Sequence, residues 1–473
     1  MLFNSSSFLV FLPLVFAAYW IMPRAGRQWQ NTVLFVASYV FYGWWDWRFL
    51  LLLASSTALD FLAGIMIHGA TDERRRRLLL WATVALNLGL LGFFKYFNFF
   101  VDSAVRLLQS AGLQANPWSL NVILPIGISF YTFHGLSYVI DIYFRRIEPS
   151  RDPITYGVFV CYFPLLVAGP IERATNLLPQ LQSSRTFDYK LGIDGFRLIL
   201  WGFFQKLVIA DKIAEDVNLI FDSHDEFLSG TLITGAVYFA IQVYCDFSGY
   251  TDIARGCSRL FGIEVLENFR TPYLSRSIPE FWSRWHISLS TWLNDYVFTP
   301  LAIQLRDKGR HGIFIAVFIT FTLSGLWHGA SWHFVAWGML HGLFYIPYIY
   351  RGKRLSSLSS RKDSPLRPAD APSIILTFAL VCLGYVFFRA ESMGHATDYL
   401  GRMFSTPLQF NDLFVNQANI YIFLTALFDW MRKGGFLSGR YSSRFLVAEA
   451  VTVVALIILF GEFNNEEFIY FQF

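Results

Sequence analysis

Charge is scarce in this sequence. Of its 473 residues only 15% are Asp, Glu, Lys or Arg, against about a quarter in a soluble domain, so the chain is not built to be wetted on all sides. Cysteine is scarce as well: Cys161, Cys245, Cys257 and Cys382 stand far apart with no C-x-x-C pair, which indicates neither a disulfide framework nor a zinc site. No internal repeat is visible, and this argues against the repeat-built transporter folds. The opening run MLFNSSSFLVFLPLVFAAYWIMP has no basic stretch ahead of its apolar residues and is read as a retained first span rather than a cleaved leader. The net charge of +4 is small and gives no indication of nucleic acid; its distribution carries more.

What is present is apolar and aromatic. The hydrophobic share is 55%, the aromatic share 19% and the mean hydropathy +0.42, which describes a membrane protein with broad lipid and interfacial surfaces. Segments near the spanning length of about 20 residues fall at 6–22, 30–44, 48–68, 78–100, 122–143, 192–213, 229–249, 312–327, 331–350, 372–389, 417–431 and 445–462. Several are short or polar, so ten to twelve spans are expected. If every candidate crosses, the basic loops all fall on one side: Arg24/Arg27, Arg74–Arg77, Arg145/Arg146/Arg151, Arg255–Arg310, Arg351–Arg367 and Arg432–Arg444. The positive-inside rule makes that side cytoplasmic. The opposite loops, Glu215–Glu226, Glu391–Asp398 and Glu462–Glu467, are acidic or neutral. An inner-membrane, multi-pass protein follows, all-α in fold class.

The expected organisation is one membrane domain over 1–473. It comprises N-terminal spans (1–150), a re-entrant region (151–190), cytoplasmic interfacial helices (246–310), histidine-bearing helices (312–350), a cytoplasmic loop (351–372) and C-terminal spans (373–473). The re-entrant reading rests on Thr155–Ile171, apolar but interrupted by Pro164 and Gly169-Pro170, since irregular backbone at membrane depth is tolerated only where protein or water satisfies it. The interfacial reading rests on Asp246–Arg310, too polar to span easily yet rich in aromatic residues. Lys95, in FFKYFNFF, is expected to reach toward an interface.

Polar residues converge in two places. The run Leu323–Gly342, LSGLWHGASWHFVAWGMLHG, holds His328, His333 and His341. An ionisable group at bilayer depth calls for a functional account. Gly325/Gly329 and Gly338/Gly342 are small-residue pairs that let another backbone approach, and a break is expected at Gly329. The bland alternative for any one of these histidines is a satisfied packing residue. The second place is the stretch from Ser277. Ser277-Ile278-Pro279-Glu280 reads as a capping box, and a helix through Phe298 would put Trp282, Trp285, His286, Leu289, Trp292 and Leu293 on one face. Ser283, Arg284, Ser288, Thr291 and Asp295 would take the other. His286 and His328 together suggest a polar cavity between helices. Asp246 and Asp252 could line a pocket, orient a histidine or pair with Arg255. Arg255, Arg259, Arg270, Arg276 and Arg284 would suit a phosphate-bearing donor, with lipid headgroup contact as the alternative.

At these residues the chain resembles a family. Ala168–Leu181 (AGPIERATNLLPQL), Gln242–Gly256 (QVYCDFSGYTDIARG), Asn268–Leu301 and Leu323–Leu343 are similar, in order, to blocks of the membrane-bound O-acyltransferase (MBOAT) family. The likeness is to the bacterial branch with the alginate O-acetyltransferase membrane subunit and the teichoic-acid D-alanyl transferase. It implies a ring of helices with a central funnel and catalytic histidines at His328 and His286. It also implies acyl transfer from a cytoplasmic thioester, acetyl-CoA for an acetyl group, to a hydroxyl on an exported polysaccharide such as alginate. No cofactor is bound permanently and no metal is expected. Neutral imidazole suits general-base work, assigned to His328, with His286 positioning or polarising the donor or sharing the proton; His333 and His341 are read as packing residues. The longest outer stretch, about Arg389–Gln417, is too short for a second acyltransferase domain. A periplasmic or membrane-anchored serine-hydrolase-like partner is therefore expected, and the aromatic tail FGEFNNEEFIYFQF could dock a partner or relay the acyl group. D-alanyl transfer to teichoic acid, a polytopic transporter and a scaffold for a polysaccharide synthase are the other readings.

Overall fold

A computed structural model describes residues 1–22, 26–114, 120, 123–351, 365–433, 441–463 and 468–469. Among the described residues every regular element is helical, and the chain divides into two compact units. The first comprises Met1–Phe196 and Ala254–Leu266, the second Arg197–Ile253 and Glu267–Phe473.

The first unit holds α1 (Ser6–Trp20), α2 (Gly26–Asp46), α3 (Phe49–Gly69), α4 (Glu73–Leu91), α5 (Phe97–Ser110), α6 (Ile128–Tyr143), α7 (Pro153–Cys161), α8 (Ala174–Leu181) and the start of α9 (Tyr189–Phe203). Three of its helices, α1, α4 and α7, begin at a capping side chain. Asp72 accepts from the backbone N–H groups of Arg74 and Arg75, and Glu73 follows it, so two acidic groups meet the positive end of α4. A π-helical turn, Gly92–Tyr96, joins α4 to α5 and contains Lys95. The expected re-entrant stretch is wholly interior, with residues 155–174 all buried. At nine residues, α7 is about 14 Å long and cannot cross a bilayer. Side chains satisfy the irregular backbone that follows. Ser38 accepts from the Phe163 N–H at 3.0 Å, and His134 Nε2 accepts from the Glu172 N–H at 3.0 Å. The Glu172 carboxylate takes the Asn176 amide at 2.9 Å and the Leu266 N–H.

The second unit holds the rest of α9, then α10 (Asp211–Asp222), most of α11 (Ser229–Leu260), α12 (Ile278–Trp282), α13 (Ile287–Leu293), α14 (Thr299–Gln304), α15 (Gly309–His328), α16 (Trp332–Leu343), α17 (Ile346–Tyr350), α18 (Ala371–Arg389), α19 (Met393–Ser405), α20 (Asp412–Lys433) and α21 (Ser443–Phe460). A helix stands at each of the twelve segments picked out by hydropathy. Among the described residues five helical stretches are both long and apolar enough to cross a membrane: 49–69, 73–110, 306–328, 368–389 and 443–460. Their outer faces carry large apolar side chains such as Leu51, Ile375 and Leu459, which suits lipid contact. The chain is an all-α membrane protein.

Two expectations change in detail. Asp246–Leu260 forms no separate helix: it continues α11, a single helix of 32 residues and about 48 Å. The helix expected from Ser277 through Phe298 is broken, with α12 ending at Trp282 and α13 beginning at Ile287. Most of the 351–372 loop and most of the Glu462–Phe473 tail lie outside the described residues.

Candidate active site

His328 and His286 both belong to the second unit, and local backbone geometry places each. His328 is the last residue of α15. Gly329 then turns to an extended conformation and α16 starts three residues on, so the break expected at Gly329 is there. α15 and α16 meet on glycine. A Cβ built on Gly325 would lie 2.2 Å from the Phe334 carbonyl oxygen, and one on Gly338 would lie 2.2 Å from that of Phe321. This close approach packs the His328 ring edge-on against Trp337 and Phe388, each at 5.1 Å between centroids.

His286 sits in the break between α12 and α13 with φ 43 and ψ 55. It is fully buried, edge-on to Phe247 at 4.7 Å and near Trp327 at 5.9 Å. The His286 and His328 ring centroids are 6.4 Å apart. Each ring nitrogen lies little more than an ångström from its centroid, so the two imidazoles cannot share a direct hydrogen bond; a proton passing between them needs an intervening group. Burial pushes the His286 imidazole down to about 3, which keeps it neutral at physiological pH. The structure therefore brings together the two histidines singled out in the sequence, in a shell of aromatic rings.

The other two histidines are engaged elsewhere. His333 donates through Nδ1 to the Phe387 carbonyl at 3.0 Å. His341 accepts at Nδ1 from the Trp282 indole at 3.3 Å, which puts its own proton on Nε2, beside Gly384. Trp282 also walls a cavity of about 500 Å³, together with Leu289, Thr320, Phe321, Ser324 and Tyr345. Neither His286 nor His328 lines it, although Ser324 lies one helical turn before His328.

Several sequence-based assignments change. Glu280 completes only half of the capping box: Ser277 Oγ accepts from its N–H at 3.2 Å, but its carboxylate accepts from the Arg276 N–H instead of reaching back to Ser277. The reason is electrostatic, since Glu280 is clamped between Arg276 at 2.9 Å and Arg284 at 2.8 Å. Burial alone would raise this carboxyl, and the two guanidinium groups outweigh it and hold it below its ordinary value. Arg284 and Ser288, expected on a polar face, are buried. The arginines proposed as a phosphate-binding face are largely engaged within the protein, Arg276 and Arg284 as above, Arg259 with Glu264 and Arg270 with Glu267.

Asp252 pairs with Arg432 at 2.9 Å. Asp246 pairs with Lys206 at 2.7 Å, and Lys206 also holds Asp211 at 2.7 Å. Sequence reasoning missed Lys206, although a lysine inside an apolar segment was itself the signal. It lies in a seven-residue π-helical stretch, Phe204–Ala210, and its ammonium sits 4.4 Å from the Phe468 ring centroid. Among the described residues no group of three His, Cys, Asp or Glu side chains could hold a metal ion.

The sequence pattern of the membrane-bound O-acyltransferase family matches residues 146–387, and the chain belongs to that family. It is 39% identical over 410 residues to the probable alginate O-acetylase AlgI of Pseudomonas putida, covering 86% of this chain and 80% of that protein. To the peptidoglycan O-acetyltransferase of Helicobacter pylori it is 31% identical over 433 residues, 85% of this chain and 80% of that one. The teichoic acid D-alanyltransferase of Bacillus subtilis is more distant, 29% identical over 287 residues, 58% of this chain and 71% of that one. The protein is a membrane O-acyltransferase.

Proposed function

We propose that this enzyme takes an acetyl group from acetyl-CoA on the cytoplasmic side of the inner membrane and delivers it for O-acetylation of an exported polysaccharide, alginate or a polymer like it. The observation that carries the reading is the pair of buried histidines 6.4 Å apart, in a family member that resembles an alginate O-acetylase over 86% of its length. His328 acts as general base: it takes the proton of an acceptor hydroxyl as that oxygen bonds to the acetyl carbonyl carbon. The C–S bond then breaks, and the proton returns to the departing thiolate, releasing free CoA. General-base assistance of this kind contributes about 10²–10⁴-fold. His286, neutral and donating one N–H, polarises or positions the donor carbonyl. A serine-hydrolase-like acetyltransferase outside the membrane completes transfer to the glycan.

A second acceptor has a specific observation in its favour. The similarity to a peptidoglycan O-acetyltransferase extends over 85% of the chain, whereas the D-alanyl transferase likeness stops at 58%. Peptidoglycan is accordingly the alternative acceptor, ahead of teichoic acid.

The test is the O-acetyl ester content of exported glycans in wild type, a deletion strain and strains carrying His328→Ala or His286→Ala at matched membrane levels. Ester is expected to vanish in the deletion strain and to fall at least about 100-fold with His328→Ala, and the glycan affected identifies the acceptor. Full ester with His328→Ala, in a background where the deletion strain has none, would overturn the assignment.

A further inference from the structure

Among the described residues of the second unit, the two other than glycine with left-handed backbone are Thr271, φ 47, and His286, φ 43. Left-handed backbone brings the Cβ of an L-residue too close to the following carbonyl, and such a conformation persists only where its surroundings over-determine it. At His286 the surroundings form a clamp. The Arg270 N–H donates to the Arg284 carbonyl at 3.0 Å, and the Ile287 N–H donates to the Asn268 carbonyl at 3.0 Å. The segments 268–270 and 284–287 are thus joined on both sides of the histidine.

Asn268 does more than lend its backbone. Its side-chain Oδ1 accepts from the Ser288 N–H at 3.3 Å and from the Ser288 hydroxyl at 2.6 Å. Its Nδ2 donates to Thr251 Oγ1, on α11, at 3.3 Å. All three residues are buried, Asn268 and Thr251 completely. Arg284 closes the other side, donating to the Arg270 carbonyl at 3.2 Å and to Thr271 Oγ1 at 3.1 Å while paired with Glu280. Only an amide serves at position 268: it offers an acceptor to two donors and a donor to Thr251 without burying a charge, whereas Asp brings the charge and Ala offers neither group.

We infer that Asn268 is a positioning residue for His286, holding it in the left-handed turn that sets its ring between Phe247 and Trp327 and toward His328. The inference rests on the reading that His286 takes part in acyl transfer. Without the Asn268 side chain, the Ser288 N–H and hydroxyl lose this buried acceptor and the tie to Thr251 on α11 goes, so the backbone bonds and Arg284 hold the turn less firmly and the imidazole shifts from its place.

The experiment uses the full chain with Asn268→Ala, His286→Gln and Ser288→Ala, and has two readouts. The first is glycan O-acetyl ester at matched membrane levels. Asn268→Ala is expected to lower it at least ten-fold, since misplacement by an ångström can cost about a hundred-fold in rate. The second is the drop in melting midpoint of the purified protein in detergent between pH 7 and pH 5. Part of that drop in wild type comes from keeping His286 buried and neutral, and His286→Gln removes this part. Asn268→Ala is expected to shrink the drop to the His286→Gln value, whereas a merely structural asparagine would lower both midpoints and leave the drop unchanged. Wild-type ester in Asn268→Ala, or an undiminished drop, overturns the inference while the role of His286 stands. Wild-type ester in His286→Gln overturns both. Should Asn268→Ala fail to accumulate, Ser288→Ala decides on the same readouts, with smaller shifts in the same directions.

Discussion

The His286 imidazole has no solvent contact, and burial pulls it from an ordinary value near 6.5 to about 3. The consequence for stability has a definite sign. Between about pH 6.5 and 3 the unfolded chain binds a proton at this residue and the folded chain does not, so stability rises with pH through that window and is lost as the medium is acidified. Above pH 7 both states are neutral and the effect disappears. At pH 5 the loss at this one group is about 1–2 kcal/mol. His286→Gln is therefore expected to be less sensitive to acid than wild type, measured by melting midpoints in detergent at pH 5 and 7; equal sensitivity would mean that the ring protonates in place. The same residue shows where sequence reading stops. Its inward direction was legible, because Trp282, Trp285, Leu289, Trp292 and Leu293 mark a buried face and all are buried. Its backbone was not, because nothing within the run Ser277–Phe298 reveals that Asn268 and Arg284 clamp the turn.

At the scale of elements, α15 and α16 are held together by what their glycines omit. Gly338→Ala would drive a methyl into the Phe321 carbonyl oxygen at 2.2 Å, which only separation of the two helices relieves, at a cost of about 1–3 kcal/mol. Gly401→Ala on α19, where a Cβ meets nothing within 4 Å, is expected to be neutral or to stabilise by up to about 1 kcal/mol. Melting midpoints of the two variants check both; similar shifts would show that close packing at Gly338 does not matter. These glycines could be read from sequence because G-x-x-x-G spacing states a requirement of the helix itself. The helix positions were legible for the same reason, hydropathy and length being local. The continuation of α11 through Asp246–Leu260 was hidden because its polar residues suggested an interface. They are polar because ion pairs such as Lys206–Asp246 and Arg432–Asp252 bury them.

Across the whole molecule charge is rare, and some of it is paired in buried clusters. The Lys206 cluster sets one cation between Asp211 and Asp246, and the Ile469 N–H donates to Asp246 Oδ2 at 2.8 Å. Lys206→Met is expected to destabilise by about 3–5 kcal/mol, because it strands buried carboxylates. Low accumulation in membranes, partly restored by adding Asp246→Asn, is the outcome to look for; normal accumulation of Lys206→Met would show that water reaches the cluster. These partners come from α9–α10, from α11 and from the far end of the chain, so no local pattern announces them.

That last contact also has a place in time. Asp246 and Ile469 are 223 residues apart, and at ordinary synthesis rates roughly 10–45 s separate their emergence from the ribosome. Throughout that interval Lys206 faces its aspartates without the Phe468 ring or the Ile469 N–H beside them. The newborn protein thus has a charged interior whose cover stays incomplete until a late-made segment arrives.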